Sequence, residues 1–177
     1  SMDILVSSNL ERLIFHLTGD SDAATSELMT SLNTTGTYKI TDEMLAELNG
    51  FYAEFADEAE ISAQIAATFE GDHYVEDPHT AVASAVYKKY LAETQDTTPT
   101  VIVSTASPYK FPKVVVESLT ILTGQEDGVD LVKKLEKISG TPLPKAVSDL
   151  FGAPVLHDTV IPATDMQAAV EAYLVLD

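Results

Sequence analysis

Thr100-Val101-Ile102-Val103-Ser104 is the stretch of this sequence that decides the expected fold class. It is apolar and β-branched with little alternation, which is typical of a strand buried on both faces of a parallel sheet. Pro99 precedes it, and a loop that begins at Thr105 follows it. Each unpaired backbone group in a buried strand costs about 1–3 kcal/mol, so such a strand needs partner strands. The stretch therefore predicts an α/β fold.

Helical patterns occupy most of the remaining chain. Ser8 to Glu11 reads as a capping box, and Asp77-Pro78 reads as an N-cap followed by proline at the first helical position. The full pattern predicts about eight helices and one strong buried strand, with weaker strand candidates at Ile4–Val6 and Pro154–Ile161. One strand does not make a sheet, so we expect the partner strands on polypeptide outside these 177 residues. A small, self-contained helical domain is the alternative.

The composition excludes several classes of protein. The chain carries 28 Asp and Glu against 10 Lys and Arg, a formal net charge of −18, so no basic surface is available for nucleic acid or anionic membranes. No run of about 18 apolar residues predicts a membrane span. The chain has no cysteine, which excludes disulfides and thiolate metal sites. With no secretion leader in view, we expect a cytoplasmic protein.

The first candidate site is the loop Ser104–Phe111, directly after the predicted strand. Ligands of open α/β sheets collect at the carboxyl ends of the strands. Thr105 and Ser107 offer hydroxyl groups there, and Lys110 offers a positive charge suited to a phosphate. A capped turn with a solvated lysine would look the same.

Two further motifs could bind an anion. In Asp77-Pro78-His79-Thr80, the side chains of His79 and Thr80 lie at a predicted helix N-terminus, where anions are favoured, although simple capping also explains the motif. In Ser7–Arg12, Asn9 accompanies Arg12, the sole arginine of the chain, which could bind a planar anion or form a local ion pair. The four histidines lack i, i+3 or i, i+4 pairing, so we expect no metal site.

Together, Ser1–Arg12, Asp77–Ala81 and Ser104–Phe111 resemble segments of bacterial threonine synthase, in the same order. That family has the fold-type-II, tryptophan synthase β-like architecture and uses pyridoxal 5′-phosphate (PLP). It is a carbon–oxygen lyase that converts O-phosphohomoserine and water to threonine and phosphate. The resemblance implies that residues 1–177 are the C-terminal part of the PLP-binding catalytic domain, partnered by a missing N-terminal part of the same chain.

The resemblance also assigns roles to individual residues. Thr105 matches the hydroxyl residue that meets the cofactor's pyridine nitrogen. The remaining candidates are implied to bind substrate: Ser107, Lys110, Asn9, Arg12, His79 and Thr80. The family's Schiff-base lysine, in a Phe-Lys-Asp context, and its glycine-rich phosphate loop are absent from these 177 residues. We therefore expect no catalytic residue, no bound PLP and no activity in the isolated chain.

Two other functions are compatible with the composition. An acidic helical interaction module without catalysis would unfold cooperatively and contain no sheet. A small hydrolase using Ser107 and His79 is disfavoured because no residue in the sequence orients the histidine.

Overall fold

The computed structural model describes residues 7–122, 126 and 128–174 of the chain. These residues form nine α-helices: α1 (Ser8–Leu17), α2 (Asp22–Thr35), α3 (Asp42–Glu47), α4 (Glu58–Asp72), α5 (Pro78–Thr94), α6 (Pro112–Leu119), α7 (Gly128–Ser139), α8 (Lys145–Ser148) and α9 (Met166–Leu174). Two 3-10 turns occupy Pro108–Lys110 and Ala163–Asp165. The chain divides into two compact units, Ser1–Gly140 and Thr141–Asp177.

The core of the first unit lies among α4, α5, α6 and α7. Helix α4 packs against α5 and α6, and α6 packs against α7. Their buried aliphatic side chains include Ile61, Ile65, Ala81, Ala85, Val115, Val116, Leu131 and Leu135. In the same unit α1 packs against α2.

Polar side chains determine where the helices begin. Asp57 and Glu60 form a reciprocal capping box at the start of α4. Asp77 caps α5, and Pro78 occupies its first turn, as the sequence predicts. At α1 the cap is Ser7, whose hydroxyl accepts a hydrogen bond from the backbone of Leu10 at 3.3 Å. The predicted capping box beginning at Ser8 is therefore displaced by one residue.

The prediction of one strong buried strand is wrong. The described ranges contain helices, turns and irregular segments but no strand, so the α/β fold class is not observed in them. The side chains of Val101 and Val103 are 85% and 70% exposed. A strand exists only where a second extended segment pairs with its backbone, and none does so here. β-Branched side chains favour a strand when they can pack on a pleated, half-buried surface, and Val101 and Val103 have no such surface against them.

The weaker strand candidates have different outcomes. Residues 154–161 form no regular structure, and Val155, Leu156 and Val160 are largely exposed. Ile4–Val6 lies outside the described residues. The second unit contains α8, a 3-10 turn and α9, and none of its described residues is buried. None of the helices described has both the length and the apolar character needed to cross a bilayer.

Candidate functional site

Asp77 organises the first turn of α5. Its side chain is 1% exposed. One carboxylate oxygen accepts hydrogen bonds from the backbone N–H groups of His79 at 2.9 Å and Thr80 at 3.3 Å. The other oxygen accepts from the Thr80 hydroxyl. The buried carboxylate is thereby satisfied by helix-terminal donors, which is where negative charge is favoured.

A chain of hydroxyl groups extends from Asp77 toward Thr105. The Thr80 Oγ1 lies 3.2 Å from the Ser104 Oγ, and the Tyr74 hydroxyl lies 3.5 Å from the same Ser104 atom. A carboxylate can only accept hydrogen bonds, so the Thr80 hydroxyl donates its single hydrogen to Asp77. Ser104 then donates to Thr80, and Tyr74 donates to Ser104. This polar network of Tyr74, Ser104, Thr80 and Asp77 links the start of α5 to the residue before Thr105.

Phe111 contacts side chains from both the Asp77–Thr80 motif and the Ser104–Phe111 loop. Its ring makes an edge contact with the half-buried ring of His79, with centroids 5.1 Å apart and planes at 74°. The ammonium of Lys110 lies 5.9 Å from the Phe111 centroid. Ser107 caps the 3-10 turn by accepting from the backbone of Tyr109 at 3.3 Å. His79, Thr80 and Lys110 therefore lie in one neighbourhood, while the Ser107 hydroxyl also has a local structural partner.

Thr105 is exposed, and its hydroxyl makes no hydrogen bond to any residue that the structure describes. The group is therefore available to a ligand. Its position is set by the adjacent Ser104, which the polar network holds near the N-terminus of α5.

Asn9 and Arg12 form a pair on α1. The Asn9 side-chain oxygen accepts a hydrogen bond from the Arg12 guanidinium. Arg12 is exposed and lines a cavity of about 750 Å³ between α1 and α2. Among residues 7–122, 126 and 128–174, no hydrogen bond or ring contact joins this pair to the polar network of α5. The structure thus brings the Asp77–Thr80 motif together with the Ser104–Phe111 loop but does not bring Asn9 and Arg12 to them.

Sequence reasoning missed Tyr74 and did not assign Ser104 a role. Both act through contacts across 24 to 30 residues of chain, for which no local signal exists. No group of three or more metal-ligating side chains occurs in the described part of the chain.

Comparison with known proteins places these motifs in a family. A family model for the C-terminal region of threonine synthase matches residues 80–173, slightly more than half of the chain. Threonine synthase of Schizosaccharomyces pombe is 37% identical over 127 residues, which cover 65% of this chain and 25% of that protein.

Two solved structures resemble the chain. PLP-bound threonine synthase from Brucella melitensis aligns with a TM-score of 0.60 and 32% identity, covering 75% of this chain and 28% of that one. Yeast threonine synthase aligns with a TM-score of 0.75 and 25% identity, covering 98% and 35%.

The chain spans about a quarter of the length of the curated relatives it matches. The matched family region contains Thr80, Ser104, Thr105, Ser107 and Lys110, and it begins directly after Asp77 and His79. This agreement confirms the resemblance drawn from the sequence: the chain belongs to the threonine synthase family and corresponds to part of its C-terminal region.

Proposed function

We propose that this chain is the C-terminal part of the PLP-binding catalytic domain of a threonine synthase, spanning residues 1–177. The whole enzyme converts O-phosphohomoserine and water to threonine and phosphate, with PLP as cofactor. The observation that carries the proposal is the match of the family region to residues 80–173, where the polar network positions Thr105. A PLP-bound relative of similar fold supports the choice of cofactor.

The residues present fit one end of the cofactor. Thr105 offers an exposed hydroxyl without a partner among the described residues, and a hydroxyl can donate to or accept from a pyridine nitrogen. Bound PLP supplies an electron sink for carbanions formed next to it. A neutral hydroxyl beside the ring leaves the pyridine nitrogen unprotonated, whereas a carboxylate would favour its protonated form. Thr105 would therefore set the ring's orientation and its protonation state.

The substrate phosphate is assigned to the cations of the motifs. Lys110 is exposed beside Phe111, and Arg12 is held by Asn9, so its planar guanidinium is pre-oriented for two parallel hydrogen bonds to a phosphate. In a chain with net charge −18, Lys110 and Arg12 are the cations of the family-like motifs that can attract a dianion. In the whole enzyme Ser107 would add a hydroxyl to this phosphate site, and His79 and Thr80 would lie beside the substrate.

The chain itself supplies no group for covalent attachment of the cofactor. None of its nine lysines lies in a Phe-Lys-Asp context. The Schiff-base lysine and the loop that cradles the cofactor phosphate belong, in this proposal, to the missing N-terminal part. The role of these residues is to bind and orient, so the isolated 177-residue chain is inactive.

The test measures phosphate release and threonine formation from O-phosphohomoserine and PLP by the complete polypeptide that carries this chain. Arg12→Ala should raise KM by about tenfold or more, because a charge-assisted bidentate contact contributes about 1.5–3 kcal/mol. Lys89→Gln is the matched control, since Lys89 is paired with Glu60 at 2.8 Å. It should leave KM unchanged.

A second measurement uses the 177-residue chain alone with PLP and borohydride. We expect no stoichiometric trapping of the cofactor at a single lysine. Stoichiometric trapping at Lys110, or a complete polypeptide that forms no threonine, would contradict the proposal.

A further inference from the structure

The turn after α3 contains an asparagine followed directly by a glycine, Asn49-Gly50. Both residues are exposed, and neither belongs to a helix. In such a pair the backbone nitrogen of the glycine can attack the side-chain carbonyl carbon of the asparagine, because glycine has no β-carbon to block the approach. None of the residues assigned above to cofactor or substrate belongs to this turn.

The surroundings of the turn leave both reacting groups free. Neither the Asn49 side-chain amide nor the Gly50 backbone N–H forms a hydrogen bond with any residue that the structure describes. Gly50 has a φ of +93°, and apart from its chain neighbours no atom of the described residues lies within 4 Å of the position that a β-carbon would take. The turn is closed by the Phe51 backbone N–H, which donates to the Leu48 carbonyl oxygen at 2.9 Å.

The other two of the chain's three asparagines provide an internal comparison. Asn9 lies in α1, and its side-chain oxygen accepts a hydrogen bond from Arg12. The backbone nitrogen that follows it, that of Leu10, donates to the Ser7 hydroxyl at 3.3 Å. Asn33 lies in α2, where the next backbone N–H takes part in the helix hydrogen bonds. In both cases a helix must open locally before the nitrogen can reach the side chain.

We infer that Asn49 is a modification site of this chain, at which loss of ammonia through a cyclic imide produces aspartate and isoaspartate. Hydroxide removes the proton of the Gly50 backbone nitrogen, which then attacks Cγ of Asn49. The N–Cγ bond forms, the Cγ–Nδ2 bond breaks, and the amide group leaves as ammonia after taking a proton from water. Water then opens the ring: addition at Cγ gives aspartate, and addition at the main-chain carbonyl carbon gives isoaspartate. No oxidant or reductant is required.

The modification changes both charge and backbone at this turn. Either product adds a negative charge to a chain whose net charge is −18, and isoaspartate also lengthens the main chain by a methylene group. The turn lies between α3 and Tyr52. The Tyr52 ring makes an edge contact with Tyr90 of α5, with centroids 5.2 Å apart, and its hydroxyl donates to Glu93 at 3.0 Å. The modified turn therefore leads directly into a segment that is anchored on α5.

The test incubates the folded 177-residue chain beside the same chain unfolded in guanidinium chloride, and follows all three asparagines by peptide mapping with mass spectrometry. In the folded chain Asn49 should convert about tenfold or more faster than Asn9 or Asn33, because helix opening limits the latter two. Folding should slow Asn49 itself by about tenfold at most, since one exposed hydrogen bond closes its turn. The rate should rise with pH. Mapping locates each product, because Asp127-Gly128 can also yield isoaspartate without a change of mass.

Variants separate the chemistry of the pair from general destabilisation. Gly50→Ala places a methyl group beside the attacking nitrogen and should slow the conversion of Asn49 by about tenfold or more. Gly19→Ala is the matched control, because Gly19 is also exposed, has a φ of +69° and has equally open surroundings among the described residues. It should leave the rate at Asn49 unchanged.

The comparison of the folded and unfolded chains needs no variant, so it decides the inference even if Gly50→Ala fails to fold. Conversion of Asn9 or Asn33 as fast as that of Asn49 in the folded chain would overturn the inference. So would an Asn49 that folding protects as strongly as the helical asparagines, or a rate that Gly50→Ala leaves unchanged.

Discussion

At the scale of single residues, Asp96 shows how local donors set the ionisation of a side chain. The Tyr90 hydroxyl donates to one carboxylate oxygen at 2.7 Å, and the hydroxyl and backbone N–H of Thr98 donate to the other at 2.7 and 2.9 Å. These bonds, with that of Tyr90 first, lower the pKa of Asp96 from 3.8 to about 2. The same bond raises the pKa of Tyr90, because its phenol is already donating to the carboxylate.

The direction of the Asp96 shift determines its pH dependence. A carboxyl whose pKa is lower in the folded state stabilises the fold above its unfolded pKa. That contribution is present above about pH 3.8 and is lost as the pH falls toward about 2. We predict that Tyr90→Phe moves the pKa of Asp96 upward, part of the way to 3.8, since the Thr98 donors remain.

A ¹³C-carboxyl NMR titration measures this pKa directly. Tyr87→Phe is the matched control, because the Tyr87 ring stacks on Tyr90 with centroids 6.3 Å apart, whereas Tyr90 supplies the bond to Asp96. An unchanged Asp96 titration in the Tyr90 variant would show that this hydrogen bond does not control the pKa.

At the scale of elements, α5 carries most of the site. Its N-terminus presents His79 and Thr80, and Ser84, farther along the helix, lines a cavity of about 320 Å³ together with Gln64 of α4. The helix position depends on its N-cap, because the first-turn N–H groups have no partner within the helix. Asp77 therefore links the stability of α5 to the geometry around Thr105.

We predict that Asp77→Ala lowers the free energy of unfolding by about 1–2 kcal/mol, the usual cost of losing an N-cap. Asp77→Asn should lose less, because its amide oxygen still accepts from the helix N–H groups. Urea unfolding followed by circular dichroism measures both. Asp57→Ala, which removes the exposed cap of α4, provides a comparison from a neighbouring helix. A loss below about 0.5 kcal/mol in Asp77→Ala would be in the range of ordinary surface substitutions and would contradict the prediction.

At the scale of the whole molecule, the dominant feature is the acidic excess. The chain carries 28 acidic side chains against 10 basic ones, a net charge of −18, and the ion pairs of the described residues include Lys89–Glu60, Lys134–Glu126 and Lys145–Asp149. Most carboxylates therefore repel one another without compensation. Such self-repulsion destabilises a compact chain and is screened by salt, since the Debye length falls from about 30 Å at 0.01 M to about 3 Å at 1 M.

We predict that the melting temperature of the chain rises as sodium chloride increases from 0.01 to about 0.5 M, because the Debye length shortens over this range. Thermal unfolding followed by circular dichroism provides the measurement. A variant in which three exposed carboxylates become amides, Glu27→Gln, Glu70→Gln and Glu117→Gln, should show a weaker salt dependence. A melting temperature that is independent of salt, or that falls with it, would mean that charge repulsion does not limit stability.

The start of α5 could be predicted from the sequence, whereas the structure of the apolar stretch Thr100–Ser104 could not. Asp77 begins its helix as expected because a cap acts on N–H groups two or three residues away. The stretch Thr100–Ser104 was wrongly predicted as a buried strand because pairing requires a distant segment. The catalytic-domain boundaries and the assigned site residues stay predictions, which the proposed kinetics would test.

By itself, the amino-acid sequence determined the charge of the molecule, the starts of its helices and, through three short motifs, its family. The net charge is a sum over residues, a helix start depends on interactions within one helical turn, and each motif is a short run of neighbouring residues. Only the tertiary structure decided that Tyr74, Ser104 and Thr80 connect, that Val101 and Val103 are exposed, and that Glu76 is buried with one oxygen unpaired among the described residues. Each of these depends on which distant segments approach one another, and burial and hydrogen bonding across such distances are set by packing rather than by neighbouring residues.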